Sequence, residues 1–158
     1  PYISEAGERG PFINSNAQAS LLGLNSNHRF PEIVRCFIEG LCFAAKECYL
    51  AIGEIPKEIR LAGGGAQSKS IRKIFSNILQ TNVRTSNRKE AGAAGAAMIG
   101  AMSLGLYNEW TKCMDEWVSP FLGELENFDK NYSNTYEKLF KTYLDSRSKI
   151  TPIWEQLN

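Results

Sequence analysis

Charge of one sign, paired cysteines and long apolar runs are all missing from this chain, and each absence removes a class of function. Eighteen Lys and Arg against seventeen Asp and Glu leave a formal net charge of +1 over 158 residues, so no global field draws in nucleic acid or an anionic membrane. The nearest thing to a basic cluster, Arg84, Arg88 and Lys89, stands beside Asn87 and Glu90 and reads as a solvated loop leading into a helix. The longest stretch of low polarity, 90–107, is mostly Ala and Gly and too weakly apolar to span a membrane. Pro1-Tyr2-Ile3-Ser4 has neither a charged nor an apolar leader region and no initiating methionine; a fragment or processed piece, without a signal peptide, is expected.

Histidine is nearly absent: His28 alone, in a polar loop with Asn25, Ser26 and Asn27, where a surface role is expected. Cys36, Cys42 and Cys48 recur every six residues and Cys113 stands alone, with no Cys-x-x-Cys pair. At about 100° per helical residue, six-residue steps turn each thiol away from the last. No metal site is expected, and the thiols read as small apolar residues of a reduced, cytoplasmic protein.

What is present is a hydrophobic content of 43%, that of a soluble globular chain long enough for one compact domain. Residues 2–16 read as a loop-rich opening, and Ala19 to Leu24 as a short strand. Pro31 suits a first helical position, and Ile33, Phe37, Leu41, Ala44, Cys48 and Ile52 follow at helical spacing, predicting a long, heavily buried helix ended by Gly53. Glu58 to Ala62 reads as a brief strand. Ile71, Ile74, Phe75, Ile78 and Leu79 form one face of a second helix. Asn82 to Thr85 could be another strand, and Asn87 with Glu90 resembles a capping pair for an Ala/Gly-rich helix to about Leu104. Trp110 to Trp117 and a run from Tyr132 to Leu144 predict two more helices, separated by a loop over 120–130. Strand and helix alternate, which indicates α/β layer packing.

The most informative stretch is Leu61-Ala62-Gly63-Gly64-Gly65-Ala66-Gln67-Ser68, where an apolar run ends in three glycines and a helix begins. Glycine lets a flat or anionic group approach the backbone with no Cβ in the way, and a helix start offers free N–H donors. A tight turn would explain two glycines; three between a strand and a helix point to a nucleotide. Gly92, Gly95, Ala96 and Gly100 lie near one side of the Ala/Gly helix, which serves either tight packing within the domain or a surface that meets a second domain.

Four segments in order resemble the C-terminal domain of the FGGY family of carbohydrate kinases: Gly7-Glu8-Arg9-Gly10-Pro11-Phe12; Ala19 to Leu24 with Glu39-Gly40; Leu61 to Ser68; and Glu90 to Ala97. Cys36 and Phe37 depart from the family's usual signature residues. The resemblance implies a ribonuclease-H-like lobe of the actin-like ATPase superfamily, a short mixed sheet packed by long helices, with residues 1–158 as the nucleotide-side lobe of a two-lobed enzyme. It implies ATP with Mg²⁺, a ketopentose or a small polyol as substrate, an N-terminal lobe outside this chain, and it allows a homo-oligomer. Gly63, Gly64 and Gly65 with Gln67 or Ser68 would meet the nucleotide, and the Ala/Gly helix would lie at the interlobe hinge. The catalytic aspartate is expected before residue 1, so none of Asp115, Asp129 and Asp145 is expected to be catalytic and the isolated chain is expected to be inactive. Two rivals stand beside this reading. Gly63-x-Gly65-x-x-Ser68 is a partial dinucleotide fingerprint with Arg84 as a 2′-phosphate ligand, and a non-catalytic actin-like module would keep the fold without the chemistry.

Overall fold

Pro31 and Gly53 bracket the first helix as their backbone preferences require. In the computed structural model, which describes residues 1–157, α1 runs Phe30–Ile52 with Pro31 in its first turn, Glu32 Oε2 accepting the Arg29 N–H at 2.8 Å, and Gly53 at φ 124° beyond its end. The described chain resolves into two compact units: 1–56, 74–80 and 129–157 form one, and 57–73 with 81–128 the other.

The first unit is helical. α1 packs against α2 (Ser133–Trp154) through an aromatic group: the Phe43 ring lies 5.5–6.3 Å from those of Tyr136, Phe140 and Tyr143. Lys46 is buried there, its Nζ 4.7 Å from the Phe140 ring centre and 3.1 Å from Glu137. A charge in an apolar setting is tolerable when paired and laid on a ring face. The opening loop folds onto the far end of this helix, where Tyr2, Phe12 and Trp154 pack edge-to-face and stacked, and Trp154 Nε1 donates to the Gln18 carbonyl at 3.0 Å. The hydroxyls of Tyr2 and Tyr143 are hydrogen-bonded, and burial pushes both phenols above their usual pKa. Cys42 is buried, and loss of solvent pushes its thiol up to about 12; it is an inert core residue.

Two expectations fail in this unit. Ala19 to Leu24 forms no strand; the segment is solvent-exposed and pairs with no neighbouring strand, and without a ladder alternating apolar residues do not make one. α1 is not heavily buried. Only Cys42, Phe43 and Lys46 are fully covered, while Phe30 is 76% and Leu41 55% exposed. A helical apolar period shows that a face exists, and the α2 aromatics cover only part of it.

The second unit carries a three-stranded mixed sheet in the order β1 (Glu58–Leu61), β2 (Asn82–Ser86), β3 (Leu122–Glu126). β1 and β2 are parallel, with Ile59 opposite Val83, and the chain between them passes through α3 (Lys69–Leu79). β2 and β3 are antiparallel, with a register shift between Arg84 and Ser86. β3 falls in the segment expected to be a loop. Its Gly123 interrupts the strand signal, and it is glycine because a Cβ there would lie 2.2 Å from Thr85 Oγ1 on β2. The remaining helices are α4 (Ala91–Ser103) and α5 (Trp110–Trp117). Glu90 precedes α4 without a side-chain cap, and Asn87 instead donates its N–H to the Phe121 carbonyl at 2.8 Å. The expected Asn87/Glu90 capping pair is therefore not formed, since Asn87 belongs to the β2 edge. Among the described residues no helix is long and apolar enough to cross a membrane.

Candidate nucleotide site

β1 delivers the chain into the glycines, and each of the three does something different. Gly63 sits at φ 92°, a left-handed conformation that L side chains rarely adopt. Gly64 is in the right-handed helical region at φ −60°, ψ −45°, and Gly65 opens a 3-10 turn over Gly65–Gln67. This turn separates the glycines from α3, which therefore does not start directly after them. A Cβ built on Gly63, Gly64 or Gly65 would meet no atom within 4 Å. Packing demands no glycine at these positions; the bare backbone faces open space.

That space is an open cleft of about 370 Å³ between the turn and the β2–α4 connection, lined by Gly63, Gly64, Gln67, Asn87, Arg88 and Lys89. Of the five residues expected to meet a nucleotide, Gly63, Gly64 and Gln67 come together here. Gly65 and Ser68 do not line the cleft. Ser68 Oγ accepts the Ile71 N–H at 3.5 Å at the start of α3, a helix-capping position that uses its side chain locally.

The residues missed from sequence are Asn87, Arg88 and Lys89. The reading of the basic cluster as a solvated loop does not hold for Arg88. Its guanidinium lies 3.8 Å from the centre of the Phe121 ring, and Nη2 donates to the Trp117 carbonyl at 2.6 Å. A cation fixed on an aromatic face beside a bare glycine backbone suits an anionic or planar ligand. Lys89 next to it is exposed. Arg84 is engaged elsewhere, bonded through Nε to both Glu58 oxygens at 3.2 Å and through Nη1 to the Gly123 carbonyl; it is a sheet cross-link, which removes the 2′-phosphate ligand of the dinucleotide alternative.

The acidic groups are similarly accounted for. Asp115 accepts from Ser119 Oγ, Asp129 from the Asn131 N–H, and Asp145 pairs with Lys149 at 2.7 Å. Among the described residues no three His, Cys, Asp or Glu side chains are grouped to hold a metal ion. The face of α4 that carries Gly92, Ala96 and Gly100 is exposed, and a Cβ added at Gly92, Gly95 or Gly100 would meet nothing within 4 Å. Tight packing within the described residues does not explain these small side chains.

Comparison with known proteins places the chain in a family. The family model described as the FGGY family of carbohydrate kinases, C-terminal domain, matches residues 1–104. The chain is 50% identical over 157 residues to an erythritol kinase of Brucella abortus (strain 2308), covering 99% of this chain and 30% of that protein. It is 27% identical over 149 residues to a xylulose kinase of Bacillus subtilis (strain 168), 90% of this chain and 28% of that one. Among solved structures, a ligand-bound xylulose kinase from Lactobacillus acidophilus superposes with a TM-score of 0.85 at 24% identity over 98% of this chain and 31% of its own. A Plasmodium falciparum glycerol kinase with ADP gives 0.70 at 20% identity, over 92% and 30%. The fold is that of the actin-like ATPases, and the chain spans about 30% of the length of these relatives.

Proposed function

Because the chain belongs to the FGGY family of carbohydrate kinases, we propose that it is the C-terminal, nucleotide-side lobe of an enzyme that phosphorylates a small polyol with ATP. The observation that carries the polyol is the 50% identity to a protein named erythritol kinase, against 27% to the xylulose kinase. Of the two substrate classes that the resemblance implies, the polyol is thereby preferred to the ketopentose.

The chain's own part is to bind and orient. Gly63 and Gly64 leave the backbone bare for the adenosine to lie along it, Gln67 stands at the cleft wall, and Arg88 and Lys89 place positive charge on the opposite side. Gly65 and Ser68 act by shaping the turn. ATP supplies the phosphoryl group, whose transfer depends mainly on positioning and on neutralising charge. The aspartate that takes the hydroxyl proton is assigned to an N-terminal lobe outside these residues, in keeping with a cleft that none of Asp115, Asp129 and Asp145 lines. The Mg²⁺ used by such chemistry would be held by the nucleotide phosphates and by that lobe.

A coupled ADP-release assay tests the reading. The full-length polypeptide is expected to turn over erythritol with a kcat/KM at least about tenfold above that for xylulose or ribulose, since pockets built around substrate hydroxyls discriminate strongly. Residues 1–158 alone should show no turnover. ADP release that no polyol or sugar stimulates, or substrate-dependent turnover by residues 1–158 alone, would defeat the proposal.

A further inference from the structure

Resting on the nucleotide-site reading above, we infer that Arg72 is a positioning residue that holds the glycine-rich turn in its ligand-ready shape. Gly63, Gly64 and Gly65 have no side chains with which to anchor themselves, and Ala66 offers only a methyl group. The anchor comes from the next helix. Arg72, in the first turn of α3 and 4% exposed, sends Nη1 back to the carbonyls of both Ala66 and Gln67 at 3.0 Å, while Nη2 reaches Glu124 Oε2 on β3 at 2.9 Å. Bonding two successive carbonyls fixes the peptide planes on either side of Gln67, and so fixes where that side chain stands in the cleft.

A buried guanidinium is a costly way to fill a helix position that an aliphatic residue could occupy. Its Nε has no hydrogen-bond partner among the described residues, and Glu124 is 78% exposed, so the ion pair itself adds little. The two carbonyl bonds are what the arginine provides. Only a planar fork spans two carbonyls and a carboxylate together; lysine carries the charge without the geometry.

The test is steady-state kinetics and melting of full-length Arg72→Lys, with Gly64→Val measured alongside. Arg72→Lys is expected to raise KM for ATP about tenfold while KM for the polyol stays within about twofold. If Arg72→Lys does not fold, Arg72→Met, which fills the buried helix position without either carbonyl bond, takes its place, with KM for ATP up about tenfold or more. The inference is overturned if the folded variant leaves KM for ATP unchanged while Gly64→Val raises it, or if both Michaelis constants rise together, which marks a merely structural role. If Gly64→Val also leaves ATP unaffected, the nucleotide-site reading fails first and the inference falls with it.

Discussion

Gly64→Val is expected to fold normally and to bind ATP about 30-fold more weakly, a free-energy loss of ~2 kcal/mol. The two halves of this expectation come from separate observations. At φ −60°, ψ −45° Gly64 occupies a region open to every L residue, and a Cβ there meets nothing within 4 Å. The apo protein therefore has room for the side chain, and a β-branched residue in this region costs only a few tenths of a kcal/mol, roughly. A nucleotide lying along the bare backbone would meet three new carbons, and overpacking a fitted contact costs about 1–3 kcal/mol. Gly63 is the poorer probe, because at φ 92° any side chain strains the fold. Calorimetric titration with ATP beside a thermal melt reads both halves. Undiminished affinity in a folded variant would remove the glycine turn from the binding site.

The second large effect is expected at Ala96. It lies on α4, on the exposed face shared with Gly92 and Gly100. Enlarging an exposed side chain changes stability by within about 0.5 kcal/mol, so Ala96→Leu should shift the melting temperature of the full-length protein by no more than about 2 °C. If the face meets the second lobe during closure, the same leucine should lower kcat about tenfold or more, because closure completes the catalytic site. Reduced turnover at constant melting supports the hinge role. A large drop in melting temperature would mean that the helix is interior, and unchanged turnover would mean that nothing closes on it.

Local chemistry made much of the fold readable. Pro31 and Gly53 set the limits of α1, β1 and β2 lie over the segments read as brief strands, and the face of α3 follows its period. The glycine half of the cleft was legible for the same reason, since three consecutive glycines are a local signal. The other half was not. Asn87, Arg88 and Lys89 face the glycines because β2 pairs in parallel beside β1, and Arg88 is held on the ring of Phe121, the residue just before β3. Both facts depend on strand pairing between distant segments, and β3 was hidden by a glycine that only the proximity of Thr85 explains. Arg72 was invisible for a related reason. On the helical wheel it is one more polar residue beside an apolar face, and its role appears only when the turn curls back to offer two carbonyls.

Amide hydrogen exchange of the full-length protein, with and without saturating ATP, reaches the central claim most directly. ATP should slow exchange in peptides covering 62–68 and 86–90, the two sides of the cleft, and NADPH at the same concentration should not. Protection confined to other segments, or equal protection by NADPH, would contradict the assignment of this cleft to ATP.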